Sequence, residues 1–131
     1  VEDAERPAFL CSPGELLDKI GILSNKARQM SDSLKLKHIY AELHALKEIR
    51  EGTIPQSEML LDLEDELLQV NIALWYAIEE NLQHERDQDF GGRFVELARS
   101  VYQLNAKRCR IKRDIDKLLG SEILEEKSYT T

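Results

Sequence analysis

The stretch VYQLNAKRCRIKRDID, residues 101–116, decides the fold because it carries a charged residue inside an otherwise apolar helical row. Apolar side chains recur here at alternating spacings of three and four, which is the period of one buried helix face. Arg108 occupies a place in that row where a leucine is expected. A guanidinium on a buried face has to be paired, because an isolated buried charge is very costly. The complete row is Leu97, Val101, Leu104, Arg108, Ile111, Ile115 and Leu118.

A second long apolar row precedes this helix. Between Pro55 and Arg86, leucine-rich positions repeat at the same spacings, which predicts a helix of about 30 residues, roughly 45 Å long. The sequence DQDFGG, residues 87–92, is typical of a turn, and Gly120 is the stop signal for the helix that follows. The two long helices are therefore expected to fold back on each other as an antiparallel hairpin.

The charges of the two long helices favour this pairing. Ten acidic residues and one basic residue lie from Glu58 to Asp89, whereas eight basic and three acidic residues lie from Arg93 to Lys117. An acidic helix beside a basic one avoids like-charge repulsion and supplies many weak ion pairs.

Two shorter helices are predicted before the hairpin. The sequence SPGE, residues 12–15, places an N-cap serine, a proline and a glutamate where a helix start prefers them. The next helix runs from about residue 34 to 51 and ends at Gly52. We expect an all-α fold with four helices, in which a short antiparallel pair packs on a long antiparallel helical hairpin. Residues 1–131 would form a single helical domain, with an extended N-terminal arm at 1–11 and a C-terminal tail at 121–131.

Composition argues against several classes of function. The formal charge of −7 disfavours nonspecific binding to nucleic acid or to anionic lipid. Cys11 and Cys109 form no C-x-x-C pattern, so we expect no disulfide framework, no zinc site and a reducing compartment. No apolar run reaches the length of about 18 to 20 residues that spans a bilayer. We expect a cytoplasmic protein with no cofactor, no nucleic-acid partner and no membrane partner.

Arg108 predicts a polar layer within the hairpin. Because the chain reverses near residue 89, Arg108 lies level with residues 66–74 of the preceding helix. Glu66 is the expected counter-charge, and the Asn71 amide is a second expected partner. Adding the polar and aromatic residues at neighbouring levels gives the candidate ligand-binding set: Glu66, Asn71, Trp75, Glu79, Tyr102, Asn105, Arg108 and Lys112.

Three interpretations of this layer are open. It fixes the register of the two long helices, as a single polar core position does in coiled coils. Alternatively, it lines a cleft shared with the shorter helices, where Arg108 and Lys112 bind a small anion such as a carboxylate or phosphate. In the third interpretation, the Arg108 side chain reaches past the core into solvent.

An enzymatic alternative arises from KEIREG, residues 47–52, and EMLLDLEDELL, residues 58–68. These segments resemble the magnesium-dependent all-α nucleoside triphosphate pyrophosphohydrolases, in which acidic residues of adjacent helices hold the metal. Here Glu48 and Glu51, with Asp62 and Asp65 or Glu66, would supply oxygen ligands. A solvated charged face explains the same spacings, and no nucleophile with its base is apparent. No catalytic residue is assigned, and a noncatalytic binding or assembly module is favoured.

Four sequence elements taken together resemble a family of uncharacterised bacterial all-α proteins with no established activity. They are GELLDKI at 14–20, VNIALWYAIE at 70–79, VYQLNAKRCRIKRDI at 101–115 and EEKSY at 125–129. The resemblance covers roughly Ser12 to Tyr129. It implies that most of the polar layer belongs to the family pattern, together with the tail residues Glu125, Glu126, Lys127 and Tyr129, and that EEKSY folds over the hairpin.

The lengths of the helices predict an oligomer. The long hairpin outreaches the short pair by several turns, which leaves apolar rows uncovered in a monomer. We therefore expect a homodimer, with a small anionic ligand or a protein as a further partner.

Overall fold

The computed structural model describes residues 7–121 and contains four α-helices in this range. The predicted all-α fold, with a shorter antiparallel pair and a long antiparallel hairpin, is confirmed. The EEKSY element lies outside the described residues, so the expectation that it folds over the hairpin stays a prediction. The helices are α1 Pro13–Gln29, α2 Ser33–Thr53, α3 Glu58–Arg86 and α4 Gly92–Leu118.

Three helices begin at a side-chain N-cap. Ser12 caps α1 by accepting the Glu15 N–H at 3.1 Å, as SPGE predicts. Asp32 caps α2, and Ser57 caps α3. In each case the oxygen of a short polar side chain accepts a first-turn N–H that has no partner within the helix. The boundaries are thus set by local hydrogen bonding.

The two long helices end in the same motif. After α4, Gly120 has φ +66°, its N–H donates to the Lys117 carbonyl, and the Ser121 N–H donates to the Asp116 carbonyl. This is the Schellman arrangement, in which a residue in the left-handed conformation ends the helix. After α3 the equivalent residue is Gln88, with φ 53°. The chain therefore reverses at a non-glycine residue in a conformation that normally favours glycine.

The core forms where α1 lies against the α3–α4 hairpin. Gly14 permits the closest approach, because a Cβ at this position would overlap the backbone carbonyl oxygen of Lys112 on α4. The N-terminal turn of α1 can therefore rest directly on α4. The buried apolar residues of this cluster are Leu16, Leu17, Ile54, Leu60, Leu67, Val70, Leu74, Ile111 and Ile115.

α2 packs on the outside of α1. Lys19 of α1 pairs with Glu42 of α2 at 3.5 Å, and Leu43 is the buried residue of α2. Arg50, near the end of α2, reaches Glu64 of α3 in an ion pair. The shorter pair thus packs on the hairpin mainly through α1.

The hairpin extends beyond α1. Gln29, the last residue of α1, donates from Nε2 to the Tyr76 hydroxyl at 3.2 Å, and α3 continues to Arg86. In this extension Arg93 of α4 donates two hydrogen bonds to Glu80 of α3, at 2.7 and 2.9 Å. Within residues 7–121, none of the helices combines the length and the apolar character of a membrane-crossing segment.

Candidate functional site

The centre of the polar layer is an ion pair between Arg108 on α4 and Asp18 on α1. Asp18 is 1% exposed. Its Oδ2 accepts from Arg108 Nη2 at 2.5 Å, and its Oδ1 accepts from Arg108 Nε at 3.0 Å. Asn71 Nδ2 on α3 donates to the same Oδ1 at 2.8 Å. One carboxylate therefore joins three helices.

A second set of polar groups lies one turn along α4, toward the start of α1. Lys112 Nζ lies 2.7 Å from Glu15 Oε2 and 3.7 Å from Asp18 Oδ2, and its side chain is buried. Asp116 is fully buried, and its Oδ1 accepts the Gly14 N–H at 2.7 Å. A carboxylate at this position also interacts favourably with the positive end of the α1 dipole. The start of α1 is thus fixed to α4 by charge-assisted contacts.

The expected partner of Arg108 was wrong. Glu66 points away from the layer and is exposed, and Asp18 takes its place. The expectation assumed that the counter-charge lies on the other helix of the hairpin. In the structure α1 occupies the groove between α3 and α4, so it supplies the carboxylate. Asn71, the second expected partner, is in the layer and reaches Arg108 through Asp18.

Several predicted residues line one open cleft where α1, α3 and α4 meet. Its volume is about 290 Å³. Polar groups come from every one of the three helices, since Asn25 lies on α1, Asn71 on α3 and Asn105 on α4. The other residues lining it are Ile22, Leu74, Trp75, Ile78 and Arg108. Four of the predicted residues, Asn71, Trp75, Asn105 and Arg108, thus line the same cleft.

The remaining predicted residues lie apart from this cleft. Glu79 is exposed on α3. Tyr102 is 77% exposed and belongs to the more distal part of the hairpin groove. Lys112 lies beneath Arg108 in the buried network and does not line the cleft.

The sequence prediction missed the contribution of α1. Gly14, Asp18, Gly21 and Asn25 follow one another at spacings of four, three and four, so they share one face of the helix. Gly14 on that face allows close helix approach, and the two polar residues of the face, Asp18 and Asn25, are buried. This stripe was the available signal for the third side of the cleft.

The guanidinium of Arg108 is held in a fixed orientation. Hydrogen bonds to Asp18 raise the pKa of Arg108, against the opposing effect of burial. Asp18 engages Nε and Nη2, whereas Nη1 donates a hydrogen bond to Asn105 Oδ1 at 3.4 Å. The Arg108 side chain is 28% exposed. One edge of the guanidinium is thus neutralised by Asp18, and the other edge lies beside the cleft.

Trp75 lines the cleft and carries a further donor group. Its Nε1 is buried and has no hydrogen-bond partner among residues 7–121. An indole N–H and a guanidinium are donors only, so both groups prefer a ligand that accepts hydrogen bonds.

The carboxylates of the pyrophosphohydrolase alternative are not gathered into a metal site. Glu48 and Glu51 are exposed on α2, and Asp62 and Asp65 are exposed on α3. Across the part of the chain that is described, no three His, Cys, Asp or Glu side chains lie close enough to hold a metal ion.

Comparisons with known proteins give no relative from which a function can be transferred. Scans against protein-family models, against curated proteins and against solved structures find no match to this chain. The function of this chain must therefore be inferred from the chemistry of the cleft.

Proposed function

We propose that the protein is a noncatalytic helical binding module, in the bacterial cytoplasm, that takes a small carboxylate in the cleft between α1, α3 and α4. The observation that carries this proposal is the orientation of Arg108. Asp18 holds one edge of the guanidinium from a buried position, and the Nη1 edge remains beside the cleft. A guanidinium fixed in this way binds a planar anion without a further loss of side-chain entropy.

The hydrogen-bonding groups of the cleft support an acceptor ligand. Arg108 and Trp75 contribute donor-only groups, and Asn25, Asn71 and Asn105 contribute side-chain amides. A carboxylate presents acceptor lone pairs to such a set. Because Asp18 already balances the charge of Arg108, the binding of a small carboxylate is expected to be weak, with a Kd on the order of millimolar.

The single tryptophan offers a direct test. Trp75 lines the cleft, so its one indole N–H resonance reports on occupancy. Titration with butyrate at constant ionic strength should shift this resonance with saturation. Arg108→Lys keeps a cation for Asp18 but removes the outward Nη1, so it should abolish the saturable shift.

The matched control is Arg110→Lys, which changes an exposed arginine two residues further along α4. It should bind as the unaltered protein does. No saturable shift in the unaltered protein, or an equal loss in both variants, would reject the proposal. Circular dichroism establishes that each variant is folded before its binding is compared.

Assembly as a homodimer is a second candidate function, favoured by the exposed apolar side chains on the hairpin beyond α1. Leu82 and Val95 are each about half exposed there. Light scattering coupled to size-exclusion chromatography measures the mass in solution. A mass of one chain over the working concentration range would reject this candidate.

A further inference from the structure

The groove between α3 and α4 continues past the end of α1 and is open there. Its distal part has a volume of about 380 Å³. Apolar side chains dominate its walls, with Ile78 and Leu82 from α3 and Phe94, Ala98 and Val101 from α4. Closer to the core, α1 covers the corresponding face of the hairpin.

This distal groove and the polar cleft adjoin each other at Ile78, which lines both of them. Arg108 and Asn105 lie at one end of the combined surface. Phe94 lies about 20 Å away, near the start of α4, at a rise of 1.5 Å per residue. The combined surface is thus polar and rich in donors at one end and apolar along the rest.

We infer that the ligand is an amphiphile, a medium-chain alkyl carboxylate whose head meets Arg108 and whose chain lies in the distal groove. This inference rests on the proposed function, because the head occupies the same cleft. It adds the chemical class of the ligand, since a short carboxylate would leave the apolar groove unoccupied.

Charge favours this occupant over a second copy of the chain. Each copy carries a formal charge of −7, and Glu79 and Glu85 lie on the distal part of α3. Two hairpins that packed through their distal ends would bring these negative charges close to each other. An alkyl carboxylate instead places its single negative charge at Arg108, away from these residues.

Glu85 also predicts selectivity at the far end. It lines the distal groove about 10 Å beyond Ile78 along α3 at 1.5 Å per residue. A dicarboxylate of the same length would place its second anionic group among the apolar side chains of the groove, on the side that leads to Glu85. The groove therefore suits a chain that ends in a methyl group.

Chain-length dependence tests the inference. Butyrate, hexanoate and octanoate are titrated below their micelle concentrations, and the Trp75 indole resonance is followed. Each additional methylene that becomes buried should tighten binding by about two- to fourfold. Octanoate should therefore bind at least about tenfold more tightly than butyrate, and its dicarboxylate analogue should bind more weakly than octanoate.

Leu82→Ser is the decisive variant, because Leu82 lines the distal groove but not the cleft, and its side chain is half exposed. It should flatten the chain-length dependence while leaving butyrate binding unchanged. Val95→Ser is the matched control, since Val95 is exposed on α4 and does not line the groove. This control should retain the full chain-length dependence.

The possible outcomes separate the two proposals. Equal binding of butyrate and octanoate, both lost in Arg108→Lys, would overturn the amphiphile and leave the carboxylate site standing. Absence of binding by every carboxylate would overturn both. Equal binding of octylammonium would overturn the assigned head group. A dimer that Leu82→Ser dissociates would assign the groove to a second copy and overturn the inference.

Discussion

Asp18 specifies the position of α1 through its bonding partners. The carboxylate is buried and accepts hydrogen bonds from Asn71 on α3 and Arg108 on α4. If α1 were shifted by one turn, Asp18 would be separated from both partners. An unpaired charge in this position is costly, so the polar layer disfavours alternative packings of α1 on the hairpin.

Removing only one member of the ion pair should be strongly destabilising. Arg108→Met leaves the buried Asp18 carboxylate without its bidentate partner, so we expect a loss of about 3–5 kcal/mol in the free energy of unfolding. Combining it with Asp18→Asn should recover much of this loss, because the amide oxygen still accepts from Asn71 and carries no charge. Urea denaturation followed by circular dichroism measures both values.

Arg110→Met provides the matched control for this pair of variants. Arg110 is exposed on the same helix, and its replacement should change stability by about 0.5 kcal/mol or less. A loss from Arg108→Met as small as that of the control would contradict the structural role assigned to Asp18.

The sequence predicted Arg108 as a member of the polar layer but did not predict its partner Asp18. Arg108 interrupts a long apolar row, so periodicity alone identifies it. Asp18 interrupts no apolar row of its short helix, and register within the hairpin says nothing about the third helix. Predicting the pair requires knowing that α1 fills the hairpin groove, which depends on tertiary packing.

Among the helices, α3 has a C-terminal cap whose contribution to stability a single substitution should increase. Gln88 adopts φ 53° in the position where the end of α4 uses Gly120. Gln88→Gly removes the clash of the Cβ in this conformation but adds backbone entropy to the unfolded chain, so we expect a net stabilisation of about 0.5–1 kcal/mol. Thermal denaturation measures it. Gln88→Ala retains the Cβ and should give no gain, so an equal gain from both variants would contradict this explanation.

The contact of α1 with α4 depends on Gly14. In Gly14→Ala the new Cβ would overlap the Lys112 carbonyl and press on Asp116, which accepts the Gly14 N–H. The start of α1 must then move away from α4, and we expect a loss of about 1–3 kcal/mol in the free energy of unfolding. Chemical denaturation tests this value.

Gly92→Ala is the corresponding control at the first residue of α4. No neighbouring atom lies within 4 Å of a Cβ built at that position. This substitution should be neutral or slightly stabilising, because alanine favours the helical conformation more than glycine does. Equal destabilisation by the two substitutions would show that the close approach at Gly14 does not matter.

For the whole molecule, local sequence signals predicted the helix boundaries better than they predicted which helix faces are buried. Serine caps, proline and glycine positions and apolar periodicity act within a few residues, so they predict where helices begin and end. α2 carries an apolar row of its own, Leu36, Ile39, Leu43, Leu46 and Ile49. Only Leu43 of these five is buried, because α2 packs on α1 from outside.

This arrangement predicts that α2 is the least stable helix of the molecule. It buries little apolar surface, whereas α1, α3 and α4 share the common core. Its amides should therefore exchange with solvent through a local opening that leaves the other helices folded. Hydrogen exchange followed by mass spectrometry should give α2 lower protection than the core-facing parts of α3 and α4.

Two leucine substitutions distinguish local opening of α2 from global unfolding. Leu43→Ala removes the buried anchor of α2 and should reduce protection mainly in that helix. Leu74→Ala, in the shared core, should cost about 2–5 kcal/mol and lower the protection of every slowly exchanging segment. If both substitutions lowered protection equally in all four helices, α2 would belong to the same cooperative unit as the hairpin. In that case Arg50 and Glu64, which join α2 to α3, would contribute more to its docking than the burial of Leu43.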